Sequence, residues 1–264
     1  MVIQSISSIR LAALLPFIAI VSISTPVARA APPADDCVER NRQNTHATTW
    51  NVARNFSNSC NPIGPWSYGS TPALGGDFTL FTRTGTITFQ VENGAVGQWV
   101  GTYLQGGQFF PIVSKFYGDP GTIVSVVVGT GGQDDQTDQE RPIIHSPANG
   151  IVMHPTLPGL GYGVIRWTAP KSRMYVIRVS FFSAEDDEGL GATTDVHVQR
   201  NHVSLFDGNV NGVGSVQKYS TGPRGIALNA GDVIDLAIGP NGDLSADSTG
   251  VNAEIVELPD RKRY

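Results

Sequence analysis

Basic residues are scarce in this chain: 18 Lys and Arg stand against 23 Asp and Glu in 264 residues, a net charge of −5. A nucleic-acid partner is excluded on that balance, because a phosphate backbone is held by a basic face that displaces its counterions. Long apolar runs are missing too, and none reaches the roughly 20 residues needed to cross a bilayer. The longest run, Leu11 to Ile23, follows Arg10 and leads to Ala28-Arg29-Ala30, the small-x-small pattern read by signal peptidase. Residues 1–30 are therefore expected to be a signal peptide cleaved after Ala30, with no membrane insertion afterwards. Losing those thirty residues, Arg10 and Arg29 among them, leaves 234 residues with a net charge of −7, and the mature chain is placed in the periplasm or outside the cell.

Only two cysteines are present, Cys37 and Cys60. Their spacing is far from Cys-x-x-Cys and no pair of histidines lies nearby, which disfavours a metal or redox centre. Cys37 follows Ala34-Asp35-Asp36 rather than a small apolar triplet, so it does not look like an acylation site. In an oxidising compartment the two are expected to pair, and closing that loop stabilises by roughly 3 kcal/mol in the chain-entropy picture. The familiar catalytic signatures are absent as well: there is no Gly-x-Ser-x-Gly, no His-Glu-x-x-His and no phosphate-cradling glycine loop leading into a helix. A pair of acids distant in sequence still leaves a glycan-active hydrolase or lyase open.

What the chain has in quantity is strand punctuation, with 30 Gly and 17 Pro between short apolar runs. Tyr175, Ile177, Val179 and Phe181 share one parity while Arg178 and Ser180 share the other; Ile234, Leu236 and Ile238 alternate with Asp235 and Ala237. Period two marks a strand with a buried face. Further strands are expected over 86–91, 98–104, 122–128, 163–168, 194–200, 203–206 and 251–257, about ten in all, with no persuasive three-turn helix. Hairpin chemistry falls at Arg200-Asn201-His202 and at Asp207-Gly208-Asn209. The expected fold is all-β, an antiparallel two-sheet sandwich of jelly-roll type spanning 50–257. An irregular segment over 31–49, tied down by the disulfide, precedes it, and a solvated basic tail over 258–264 follows.

Several stretches carry a likeness: WNVARNFS from Trp50 to Ser57, NPIGPWSYG from Asn61 to Gly69, VIRWTAP from Val164 to Pro170, TDVHV from Thr194 to Val198, SLFDGNVNG from Ser204 to Gly212, and AGDVIDLAIG from Ala230 to Gly239. In order and spacing the chain resembles a family of exported bacterial β-sandwich proteins, largely uncharacterised, that look like galactose-binding or carbohydrate-binding-module jelly rolls. The resemblance implies a glycan-facing role. Related chains often end in a sorting tail with an apolar helix, which this sequence lacks after Ile255.

A sugar is held by a flat apolar surface under its C–H face and by planar polar groups for its hydroxyls. Trp66 and Tyr68, in a Gly/Pro-rich loop, are the expected platform. Trp99 and Tyr103 either flank a groove or belong to the core, whereas Trp50 and Trp167 are read as core. Asp195 and His197 lie two apart on one strand face, where they either orient a ligand or metal or make a cross-strand hydrogen bond; Val196 and Val198 face inward. Asn209 and Asn211 follow as polar loop ligands. The cofactor considered is calcium, at Asn241, Asp243 and Asp247, with the acidic loops 133–140 and 184–189 as further oxygen-rich stretches. The function expected is non-catalytic binding of a glycan or other extracellular polymer. A structural or adhesive envelope protein that binds a protein partner is the alternative, followed by the glycan-active enzyme.

Overall fold

Alternation of more and less buried side chains marks 177–182, 216–220 and 251–256, whereas 196–199 and 234–239 are buried on both faces, as strands central to a sheet covered on both sides are. The computed structural model describes residues 34–87, 89–105, 108–127, 143–185, 191–242 and 246–259. The expected signal peptide, the acidic loop 133–140, most of 184–189 and most of the basic tail lie outside them. The described elements begin with α1 (Ala34–Thr45), β1 (Thr49–Asn51), α2 (Val52–Asn55), β2 (Trp66–Thr71), β3 (Thr79–Leu80), β4 (Arg83–Gly85) and β5 (Gln90–Glu92). They continue with β6 (Ala95–Gln105), β7 (Gln108–Tyr117), β8 (Ile123–Val127), β9 (Ile143–Pro147), β10 (Ile151–His154) and β11 (Tyr162–Thr168). The last are β12 (Arg173–Ser183), β13 (Asp195–Arg200), β14 (Val203–Asn209), β15 (Val216–Ser220), β16 (Ile226–Leu228), β17 (Val233–Gly239) and β18 (Thr249–Glu257).

The protein is an antiparallel β-sandwich. One face is a nine-stranded sheet in the order β15-β12-β18-β10-β7-β6-β4, with β1 on β18 and β16 on β12; the other is a six-stranded sheet, β14-β13-β17-β11-β2-β3. Between them lies a core of large rings: Trp50 meets Trp167 edge-on at 5.3 Å, and Trp167 meets Tyr175 at 5.1 Å. These contacts join the two sheets, since Trp50 and Tyr175 come from the first and Trp167 from the second. Trp50 and Trp167 are thus core residues, as expected.

A three-stranded sheet, β5-β8-β9, adds a third layer. It carries a second apolar cluster in which Val124 and Val126 meet Phe116 and Val152, residues of β7 and β10. Val113 and Met153 on those same strands belong to the main core. The small sheet therefore covers the outer face of the large one around β7 and β10.

Several expectations need correction. Residues 31–49 are not irregular throughout: Ala34–Thr45 forms α1. That helix is polar on nearly every side and so shows no apolar period of 3.6; it is held by specific bonds instead. Cys37 pairs with Cys60 with 5.7 Å between their Cα atoms, Arg40 donates to the Phe56 carbonyl, and the Asn44 carbonyl accepts from the Trp50 indole at 2.6 Å. Asp207-Gly208-Asn209 is not a turn but the end of β14, paired with β13 from Asp195↔Asn209 to His197↔Asp207. A Cβ at Gly208 would lie 2.9 Å from the far end of the Phe206 ring, which would have to shift. The other hairpin stands as expected, with Asn201 and His202 both at positive φ. Of the described residues in 86–91 only Gln90 and Val91 are strand, and eighteen strands are described rather than about ten.

Candidate functional site

At the end of the large sheet that the third layer leaves uncovered, strand order brings four strands together as β15-β12-β18-β1. Pairing places Ser220 opposite Arg178, Arg178 opposite Glu254, and Glu254 opposite Asn51. One pleat along, Lys218 faces Ser180 and Ser180 faces Asn252. Val179, Ala253 and Ile255 point inward, so the alternate residues all project outward. They line an open cleft of about 410 Å³. Three strand spacings of about 4.8 Å make it roughly 14 Å across; polar head groups rim it, while most of its exposed lining is apolar.

Asn51 also caps α2, its side chain accepting from the Arg54 amide at 2.9 Å, and this fixes the cleft wall on that side. Arg178 donates to Glu254 at 3.1 Å across the strand pair, with 57% and 43% of the two side chains exposed. Beneath the floor, Tyr219 packs on Phe206 at 6.0 Å where the two sheets meet, and the Gln217 amide donates to the Asn209 carbonyl at 2.7 Å. That edge is closed by side chains, not by a backbone ladder.

The expected aromatic platform does not form. Trp66 and Tyr68 have 0% exposure, because β2 begins at Trp66 and its pairing with β11 turns both rings into the core beside Trp167. Trp99 is buried as well, its indole donating to the Ser57 carbonyl at 2.6 Å. A register shift between Val100 and Tyr103 breaks the shared parity with Trp99 and leaves Tyr103 half-buried, opposite Phe110. Asn209 lies at the end of β14 and Asn211 just past it; the Asn211 amide donates to Ser215 at 3.0 Å, which makes it part of a turn.

Asp195 and His197 come together as the spacing implied, and Val196 and Val198 are fully buried. His197, 7% exposed, sits between two carboxylates: Nε2 faces Asp195 Oδ2 at 2.8 Å and Nδ1 faces Asp207 Oδ1 at 2.6 Å. The cross-strand hydrogen bond from β13 to β14 is thus made. Asp207 accepts from Ser204 at 2.7 Å, and Asp195 accepts from the Asn241 amide at 2.9 Å. A neutral imidazole has a single N–H, so two flanking carboxylates favour the doubly protonated ring. Burial opposes that charge, but the bonds to Asp195 and Asp207 outweigh it and hold the His197 pKa above its usual value. Both carboxyls lie below theirs: at Asp195 the bond from His197 overcomes the effect of burial, and at Asp207 the bond from His197 leads.

Of the three residues considered for calcium, Asp243 lies outside the described residues. Asn241 is exposed beside Asp195, while Asp247 is buried and accepts at 2.8 Å from both the Thr193 amide and its hydroxyl. Among the described residues, no three His, Cys, Asp or Glu side chains gather in a geometry that holds a metal ion. No helix among them is long and apolar enough to cross a membrane.

No protein-family model and no curated protein matches the chain. Similar solved structures include carbohydrate-binding modules with β-sandwich folds and enzymes that carry one. One is a CBM51 module from Clostridium perfringens GH95 in complex with methyl-galactose, 11% identical at a TM-score of 0.31, covering 67% of this chain and 95% of that one. Another is a family 29 carbohydrate-binding module, 10% identical at 0.28, covering 51% and 87%. A third is the GH26-CBM35 β-(1,4)-mannanase of Podospora anserina, 11% identical at 0.28, covering 65% and 29%.

Proposed function

We propose that this chain is an exported, non-catalytic β-sandwich that binds a glycan, and that its ligand surface is the cleft of β15, β12, β18 and β1. One observation carries the reading: Asn51, Arg178, Asn252 and Glu254, four planar polar side chains, project into one open cleft from three adjacent strands. Planar amide, guanidinium and carboxylate groups suit the paired hydroxyls of a pyranose, each donating or accepting two bonds in one plane. The openness of the cleft suits an internal stretch of a polymer. The Cys37–Cys60 bond supports export, since such bonds persist in oxidising compartments.

The test is a polysaccharide panel in affinity electrophoresis, followed by calorimetry on whatever binds. Asn252→Ala and Glu254→Ala should each weaken binding about ten-fold, the scale of one hydrogen bond to a charged or planar group. Both sites are on the surface, so melting temperatures should stay within a few degrees of wild type. A folded wild-type protein that retains none of the panel would refute the reading.

A further inference from the structure

Resting on the glycan-binding reading, we infer that the cleft takes an anionic glycan, one carrying carboxylate or sulfate groups, and that Lys218 and Arg178 recognise those groups. Two cations and one acid line the cleft, although the whole chain has a net charge of −5. Glu254 is the acid, and it pairs with Arg178. Lys218, exposed on β15, has no carboxylate within ion-pair distance among the described residues. A charge left over in a recess whose exposed lining is mostly apolar raises the local concentration of counter-charge, and here that sign opposes the rest of the molecule.

The Arg178–Glu254 pair does not remove Arg178 from use. It is a single contact at 3.1 Å between two exposed side chains, and such pairs contribute little and rearrange readily. A guanidinium has five N–H donors in a fork, so Arg178 can keep Glu254 and still offer the remaining N–H groups to an incoming carboxylate or sulfate. Lys218 lies diagonally across the strand pair, because Arg178 is opposite Ser220 and Lys218 is two residues away. The diagonal spacing of about 7–8 Å lets the two cations reach one anionic group from both sides or two successive ones. Ser180 and Asn252, in the Lys218 row, then serve the sugar hydroxyls. Two cations match one or two anionic groups; they do not match a run of phosphates.

Titrations use polygalacturonate for the carboxylate arm, dextran sulfate for the sulfate arm, and dextran as the neutral glycan. The anionic polymer should bind more tightly than dextran, and Lys218→Gln should weaken that binding about five-fold, the upper range for one exposed charge pair. Arg178→Gln should weaken it further. Lys171→Gln, a charge on the neighbouring surface ion-paired to Glu257, should leave it unchanged, which separates cleft recognition from attraction to any surface lysine. Which anionic polymer responds to Lys218→Gln identifies the group. An anionic polymer that binds equally well to Lys218→Gln, or a wild type that prefers dextran, overturns the inference; in the second case, loss of dextran binding on Asn252→Ala leaves the parent reading standing. If no polymer binds at all, both fall.

Discussion

A single oxygen atom separates what Tyr68 offers the core from what it costs. Its ring meets Phe56 at 4.9 Å and is fully buried, yet its hydroxyl has no hydrogen-bond partner among the described residues. A buried hydroxyl without a partner forfeits its hydration, about 1–3 kcal/mol, with nothing returned. Burial likewise drives the phenol pKa upward, since the ionised form is disfavoured even more. Tyr68→Phe should therefore stabilise, by roughly 1 kcal/mol, and raise the melting temperature by about 2–4 °C in a domain of this size. Thermal melts by circular dichroism decide it. A Tyr68→Phe protein melting below wild type would mean that the hydroxyl has a partner after all. Glycan binding should not change, because the ring never reaches the surface.

At the level of elements, the His197 clamp ties β14, the edge strand of the six-stranded sheet, to β13 through Asp207, and ties β13 to the turn after β17 through Asp195 and Asn241. The folded pKa of His197 lies above 6.5, so its contribution is whole below that value and fades as pH rises through the folded pKa. Asp195 and Asp207 lie below 3.8, so theirs is whole above that value and fades as pH falls through their folded pKa values. All three act together between pH 3.8 and 6.5. The melting temperature of His197→Gln should fall furthest behind wild type in that window and approach it at alkaline pH. A gap that stays constant from acid to alkaline pH would remove the clamp. The same elements show what was legible in the sequence. Alternation from Tyr175 to Phe181 and from Ile234 to Ile238 announced β12 and β17, and Asp195 with His197 announced a shared face. The cleft was not legible, because Arg178, Ser180, Asn252 and Glu254 read only as the outward parity of two strands. What joins them is the order β15-β12-β18-β1, in which neighbours are far apart in sequence. The aromatic platform failed for the converse reason: Gly and Pro before Trp66 read as a loop, while pairing with β11 makes the segment a central strand.

For the molecule as a whole, the amino-terminal segment is an attachment to a sandwich that carries its own core. Beyond the disulfide, α1 is held by Arg40, by Asn41 donated to by the Gly64 amide, and by Asn44, which accepts from both Trp50 and Asn55. The cleft lies on β12, β15 and β18; Ile177, Val179, Val251 and Ala253 seat β12 and β18 in the core from outside the amino-terminal segment, and only Asn51 is near the attachment. Stability and binding should therefore separate. The double change Cys37→Ser with Cys60→Ser frees the loop in the unfolded chain and should cost roughly 3 kcal/mol. That is a fall in melting temperature of about 6–12 °C for a domain of this size. Well below the new melting point, the far-ultraviolet β spectrum should be unchanged and glycan affinity should remain within about three-fold of wild type, since only the Asn51 wall has loosened. Limited proteolysis should then cut first within 34–48 and leave the sandwich intact. If the double variant instead loses binding while its sheet spectrum persists, the helix and its disulfide are part of the ligand surface, and the cleft as drawn is incomplete.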